Sequence, residues 1–235
     1  MSISSAYIKR PDAESDMEKK DNMVVAISRQ IASGGSFIAY SVARKLKFKY
    51  LDNEVLYRAA KFMGVDSREL AGREERLEGF ISKIAKSFCF GSPEAAFVYP
   101  SGLPVYDINL FDIETKIITE IAGSCSIVVV GRAGHYIMRG HPGLVKVFVH
   151  APLDFRVRRL MEIRNIKDKD IVSAEIRKTD ERRENFLRNQ TGLEWTDARN
   201  YDLCIDASVT GFDQAAEMIV ELAGKIRRNL YLKQR

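Results

Sequence analysis

Residues 24–37 read VVAISRQIASGGSF, and this stretch sets the architecture expected for the chain. An apolar run leads into a short turn with two glycines, and apolar residues then recur at every fourth position, at Ile38, Val42 and Leu46. This order predicts a strand, a loop and a helix, which gather backbone N–H groups and a helix N-terminus around one point. Such a point suits a phosphate group.

The loop departs from the usual phosphate-loop pattern G-x-x-x-x-G-K-[ST]. The four anchor positions of that pattern fall on Arg29, Gly34, Gly35 and Ser36, so the first glycine and the lysine are lost. Ser33 and the two glycines permit close backbone approach, and the Ser36 hydroxyl could reach a phosphate or a Mg²⁺ ion. Arg29 is expected to return the missing positive charge. The alternative is an arginine that caps a strand end through a carboxylate.

Strand-like and helix-like segments alternate along the rest of the chain. Continuous apolar runs without polar alternation are typical of strands that are covered on both faces. Strand–helix alternation predicts an α/β fold with a parallel sheet, whose ligands bind at the carboxyl ends of the strands. The five predicted strands are Met23–Ser28, Lys49–Asp52, Ser126–Gly131, Val145–Ala151 and Asp202–Asp206.

The domain organisation follows from the places where this strand–helix alternation is interrupted. Residues 1–22 are polar and charged and are expected to form a flexible tail, and residues 23–235 are expected to form a single domain. The stretch from about Val65 to Gly123 reads as an insertion, because it begins with helical spacing and then carries a loop rich in proline and glycine. A charged helical hairpin is predicted over about residues 154–190.

Composition narrows the classes of protein that the chain can belong to. An apolar fraction of 46% and a charged fraction of 29% in 235 residues are ordinary for a globular protein. No apolar run approaches the roughly 18 residues of a membrane span. The three cysteines, Cys89, Cys125 and Cys204, lie far apart and indicate buried unpaired thiols in a reducing cytoplasm. The histidines and cysteines show no metal-ligand spacing, so no protein-bound metal is expected.

Arginine dominates the positive charge of the predicted hairpin and its surroundings. Between Arg156 and Arg199 there are nine arginines against three lysines. The planar guanidinium matches phosphate oxygens in pairs, so the bias suggests phosphate binding. The alternative is that these arginines form ion pairs on the surface of two helices and bind no phosphate. We expect no nucleic-acid partner, because aromatic residues are not interleaved with the basic ones.

Several segments together resemble the cytidylate kinase-like family, a branch of the P-loop nucleoside monophosphate kinases in which the loop lysine is typically absent. The resemblance covers roughly residues 23–226. Its motifs are ISRQIASGG at 27–35, YLDNEVLYRA at 50–59, VGR at 130–132, HAPLDFRVRR at 150–159, DERR at 180–183 and NYDLCI at 200–205. The resemblance implies a P-loop NTPase-type parallel five-stranded sheet flanked by helices, with a nucleoside monophosphate-binding insertion and a helical lid.

The same resemblance implies phosphoryl transfer from ATP, bound with Mg²⁺, to a nucleoside monophosphate. The donor phosphates would lie on Ser33, Gly34, Gly35 and Ser36, with Ser36 as a weak Mg²⁺ ligand. Charge on the transferred group would be stabilised by Arg29, Arg156, Arg159 and Arg183. The acceptor would be held by Asp52, Arg58, Arg132 and Asp180.

Two of these interpretations keep an alternative, and an aromatic pair has two interpretations of its own. Asp52 could be a helix N-cap, and Asp180 could simply pair with Arg183, since residues three apart share a helix face. Trp195 and Tyr201 could stack on a base or belong to the core.

Both acidic residues of the family's D-G-R-D strand end are replaced, by Val130 and Ala133. Because loss of the loop lysine without an equivalent donor would leave a slow enzyme or none, the rival function is a nucleotide-binding sensory or regulatory protein without turnover. The expected partners are small nucleotides, and the oligomeric state is left open.

Overall fold

The computed structural model describes residues 22–52, 79, 82, 88–89 and 108–233. Its sheet has five parallel strands in the order β2-β3-β1-β4-β5. The strands are β1 Val24–Arg29, β2 Lys49–Leu51, β3 Ile127–Val130, β4 Leu144–His150 and β5 Leu203–Asp206. The described helices are α1 Gly35–Leu46, α2 Ile108–Ser124, α3 Gly134–Ile137, α4 Leu153–Arg164, α5 Lys169–Thr191, α6 Ala207–Thr210 and α7 Phe212–Lys233, with a 3₁₀ turn at Ala198–Asn200.

The predicted fold class is confirmed, and every predicted strand lies within two residues of its observed bounds. The central strand β1 pairs with β3 on one side and with β4 on the other, so that Ile27 lies beside both Val130 and Val147. Both faces of β1 are buried. Val25 and Ile27 pack in the core with α1 and α7, and Val24 and Ala26 pack against α2. This two-sided burial explains the unbroken apolar runs.

Local signals position the helices that flank the site. The first turn of α5 is capped by Asp168, whose carboxylate accepts from the N–H groups of Asp170 and Ile171. Helices α4 and α5 form the predicted hairpin and pack together through buried apolar residues, among them Val157 and Ile176. No helix in the described part of the chain is long and apolar enough to cross a membrane.

Some predictions need correction or fall outside the described residues. The expectation of unpaired thiols is wrong for two cysteines, because Cys89 and Cys125 form a disulfide, and the remaining thiol, Cys204, is exposed rather than buried. The predicted tail and most of the predicted insertion lie outside the described residues. The described end of that insertion forms α2, whose residues Ile117, Ile118 and Ile121 are buried against the sheet. Trp195 and Tyr201 are buried in an aromatic cluster with Phe148, as in the core interpretation.

Candidate functional site

The loop between β1 and α1 is held to the end of β4 by hydrogen bonds. The N–H of Gln30 donates to the carbonyl of Val149 at 3.0 Å, and the Gln30 side-chain oxygen accepts from the N–H of Ala151 at 3.2 Å. The hydroxyl of Ser33 is fully buried and donates to the carbonyls of Gln30, at 2.9 Å, and Val149, at 3.3 Å. Ser33 therefore uses its side chain to shape the loop.

Helix α1 begins at this loop without a side-chain cap. Gly34 is its N-cap, with a left-handed φ of 87° that favours glycine. A Cβ at Gly34 would also lie less than 3.0 Å from the ring of Phe212, which closes one side of the loop. Ser36, in the first turn, is half-buried. An uncapped first turn offers N–H donors and a positive dipole end, which together suit an anion.

The side chain of Arg29 runs across the carboxyl end of the sheet. Its Cβ lies less than 3.0 Å from the place a Cβ on Gly35 would take. Its Nη1 lies equally close to the place a Cβ on Gly131 would take. Arg29 thus extends from the N-terminus of α1 to the end of β3, where Arg132 follows. The expected cation is present, and its charged end lies toward β3.

Asp180 and Arg156 support the loop from the hairpin. The Asp180 carboxylate accepts from the N–H of Ile31 at 2.9 Å and pairs with Arg156 Nη1 at 2.5 Å. Arg156 is 7% exposed and also donates to the carbonyls of Ala151 and Ile31. The sequence predicts acceptor binding for Asp180 and transition-state contact for Arg156. In the structure both side chains bind the loop, whose buried peptide groups need partners. Their roles toward a ligand stay predictions.

The other two hairpin arginines approach the loop from different directions. Arg183 donates from Nη1 to the carbonyl of Arg29 at 2.9 Å. The guanidinium carbon of Arg159 lies 4.4 Å from the centre of the Phe212 ring, a cation–π contact beside Gly34. The Nε of Arg159 is buried and finds no hydrogen-bond acceptor among the described residues. A buried donor without an acceptor next to an uncapped helix start fits an anionic ligand.

The end of β3 carries a strained turn and a buried ion pair. Gly131, Arg132 and Ala133 have φ angles of 74°, 55° and 52°, and left-handed non-glycine residues are concentrated at functional sites. Arg132 Nη2 lies 3.1 Å from Glu114 Oε1, with the two side chains 9% and 7% exposed. Burial raises the pKa of the Glu114 carboxyl, and the charge of Arg132 opposes this rise. Sequence reasoning missed Glu114, whose only signal is a carboxylate within the apolar face of α2.

A second buried polar group lies behind the loop. His135 Nδ1 is 3.3 Å from the hydroxyl of Ser28, and its ring packs against Tyr201 with centroids 5.1 Å apart. Burial lowers the pKa of His135 to about 4 and raises the pKa of Tyr201 to about 12. Both rings are therefore neutral near pH 7 and behave as part of the core.

The remaining predicted site residues are placed as follows. Asp52 lies directly after β2, where its carboxylate accepts from the hydroxyl of Tyr50 at 3.2 Å. Arg58 lies outside the described residues. The described part of the chain contains no group of three or more His, Cys, Asp or Glu side chains that could hold a metal ion. Ser36 is left as the candidate Mg²⁺ ligand, and a single hydroxyl cannot hold the ion by itself.

The parallel sheet, the loop at the start of α1 and the arginine-bearing hairpin define an α/β protein of the P-loop kinase type. Within that class, residues 24–209 match the model of the cytidylate kinase-like family. The chain belongs to this family.

Individual relatives agree with this assignment. The chain is 24% identical over 225 residues to a cytidylate kinase of Bacillus licheniformis, covering 89% of this chain and 98% of the relative. It is also 24% identical over 214 residues to a cytidylate kinase of Sulfolobus acidocaldarius, covering 89% and 97%. The similarity thus extends over nearly the whole length of both kinases.

Solved structures show the same fold. An uncharacterised protein from Eubacterium ventriosum superposes with a TM-score of 0.62 at 20% identity, covering 86% of this chain and 99% of that protein. A gluconokinase from Sinorhizobium meliloti superposes with a TM-score of 0.50 at 14% identity, covering 93% and 100%. Family and relatives support a kinase-like phosphotransferase.

Proposed function

We propose that this protein transfers the γ-phosphoryl group of ATP to a nucleoside monophosphate or a similar small acceptor. The observation that carries the proposal is the position of Arg29, which spans from the N-terminus of α1 to Gly131 at the end of β3. A cation in this position joins the donor loop to the strand end that carries Arg132. Phosphoryl transfer depends mainly on positioning and on neutralising charge between donor and acceptor.

The donor phosphates would bind at the start of α1. Backbone N–H groups of Gly34, Gly35 and Ser36 supply donors there, and the Nε of Arg159 supplies a further buried donor. Mg²⁺ would arrive with ATP, with the Ser36 hydroxyl as its protein ligand and the phosphates and water as the others. When bound, the ion neutralises charge on the phosphates.

The acceptor would bind at the ends of β2 and β3. Arg132 would contact its phosphate, Asp52 its sugar or phosphate, and Arg58 would contribute from the helix predicted after β2. Asp180, Arg156 and Arg183 would act through the loop that they hold. Removing one arginine that stabilises charge on the transferred group lowers the rate of such reactions by about 10³–10⁵-fold.

A second function is favoured by the apolar end of β3. Val130 and Ala133, at the positions of the family's two strand-end acids, are both buried and carry no charge. A site without these carboxylates lacks two oxygen ligands, one for Mg²⁺ and one for the acceptor nucleotide, and should bind both more weakly. We therefore keep a nucleotide-binding protein without turnover as the alternative.

A coupled assay separates the two functions. ATP with Mg²⁺ is offered together with CMP, dCMP, UMP, AMP or GMP, and ATP affinity is measured in parallel by calorimetry. Turnover with at least one acceptor supports the kinase. ATP binding without turnover on any acceptor supports the alternative, and the absence of ATP binding contradicts both.

A further inference from the structure

We infer that Glu114 is a positioning residue for acceptor binding, which holds the guanidinium of Arg132 from behind so that this guanidinium can receive the anionic phosphate of the acceptor. The inference rests on the proposed function in one respect, the contact between Arg132 and the acceptor. It adds a residue on α2 that lies 16 positions before the strand end, outside every motif of the family resemblance.

The ion pair between Glu114 and Arg132 is buried on both sides. The two atoms in contact are 3.1 Å apart, and each side chain is less than a tenth exposed. A buried guanidinium requires a compensating charge, and no strand-end acid supplies it, because Val130 and Ala133 are apolar. Glu114 provides the carboxylate from the neighbouring helix.

The guanidinium is also fixed from a second direction. The Arg132 guanidinium carbon lies 5.7 Å from the centre of the Phe186 ring on α5. Phe186 in turn makes an edge contact with Phe111, with centroids 5.8 Å apart. Phe111 and Glu114 are three residues apart on α2 and therefore share a helix face. One face of α2 thus carries the carboxylate that pairs with Arg132 and the ring that packs against Phe186.

This arrangement is compatible with anion binding by Arg132. A guanidinium has five N–H donors, and a carboxylate engages at most one edge of it. The contact with Glu114 therefore does not by itself prevent Arg132 from binding a phosphate. The end of β3 lies next to the end of β1, where the Arg29 side chain lies against Gly131. An acceptor anion on Arg132 would be presented beside Arg29.

The first test compares kinetic constants of three variants. Glu114→Gln keeps the size of the side chain and removes its charge, Glu114→Asp keeps the charge, and Glu184→Gln on the exposed face of α5 is the matched control. For CMP as acceptor, we expect Glu114→Gln to raise the acceptor KM at least tenfold while the ATP KM changes less than twofold. Glu114→Asp should recover part of this loss, and Glu184→Gln should behave as the unmodified protein. Equal effects on both KM values, or none, would overturn the inference.

The second test does not require turnover. The Nε–H resonance of Arg132 is followed by ¹⁵N NMR, assigned by its absence in Arg132→Lys, while CMP or inorganic phosphate is added. We expect it to shift with either anion, and we expect at least tenfold weaker binding in Glu114→Gln. A resonance that neither anion moves overturns the inference, whatever the assay shows.

The two tests also separate this inference from the proposed function. If ATP binds without turnover but the Arg132 resonance responds as expected, the kinase fails and the role of Glu114 stands. If Glu114→Gln does not fold, the NMR titration of Glu114→Asp decides. Weaker binding than in the unmodified protein then supports the role, and unchanged binding overturns it.

Discussion

Arg29 and a side chain at position 35 exclude each other. A Cβ on Gly35 would lie less than 3.0 Å from both Cβ and Cγ of Arg29. The position of the Arg29 Cβ is fixed by the backbone, so this atom cannot move away as the end of a long side chain can. Arg29 replaces the first loop glycine, and Gly35 replaces the loop lysine. The two replacements therefore depend on each other, because the side chain at position 29 leaves no room for one at position 35.

Restoring the lysine alone should damage the protein. We expect Gly35→Lys to destabilise the fold by about 1–3 kcal/mol through overpacking, which for a domain of this size lowers Tm by roughly 2–12 °C. Thermal unfolding measures this effect. Adding Arg29→Gly should recover most of the loss, because the obstructing atoms are then absent. A Gly35→Lys variant as stable as the unmodified protein would contradict the steric relationship.

Removing the Arg29 side chain should affect the reaction more than the fold. We expect Arg29→Ala to lower kcat by about 10³-fold or more, since this guanidinium is proposed to stabilise charge on the transferred group. The matched control is Arg199→Ala, whose guanidinium is exposed and pairs with the nearby Asp197. Steady-state kinetics and calorimetry on both variants measure the effect. If kcat and ATP affinity are both unchanged in Arg29→Ala, Arg29 has no part in the reaction.

Breaking the pair between Asp180 and Arg156 should destabilise the protein strongly. We expect Asp180→Ala to cost about 3 kcal/mol, because the change leaves a buried guanidinium without its counter-charge. The N–H of Ile31 also loses its acceptor. Urea unfolding measures the loss, and Glu175→Ala is the control, since Glu175 forms an exposed pair with Arg164 whose loss should cost at most about 1 kcal/mol. Equal losses in the two variants would show that Asp180 does not support the loop.

The neutral His135 should make stability depend on pH. Its folded-state pKa, about 4, lies below the ordinary histidine value of 6.5, so the unfolded chain binds the proton more readily. The stabilisation is therefore present above pH 6.5 and is lost as pH falls from 6.5 toward 4. A shift of this size corresponds to about 3 kcal/mol. Urea unfolding at several pH values should show a shallower pH dependence in His135→Gln. An identical dependence in both proteins would rule out this contribution.

The sequence predicts the sheet well because its signals are local. Residues 24–27 and 127–130 are unbroken apolar runs, and such runs form strands that are buried on both faces. The loop could be located from Gly34, Gly35 and the helical period that follows them. These features depend on residues that are close together in the chain.

The side-chain contacts of the site could not be predicted in the same way. Asp180 accepts from Ile31 across 149 positions of the chain, and the disulfide joins residues 36 apart. Glu114 meets Arg132 only because α2 packs beside β3. Such contacts depend on how whole helices pack, and no short motif records that packing. The sequence therefore located Arg156 and Asp180 but did not predict the contacts that they make with the loop.

The contacts of Asp180, Arg156 and Arg183 with the loop backbone have a thermodynamic consequence. Since the hairpin and the loop share these bonds, a ligand that alters the loop must alter the free energy of the hairpin, and the reverse change has the same magnitude. If ATP binds this loop as proposed, amide hydrogen exchange along α4 and α5 should change when ATP is added. The exchange rates of the hairpin amides would then depend on the fraction of loops that hold a ligand, because side chains of the hairpin hold the loop in shape.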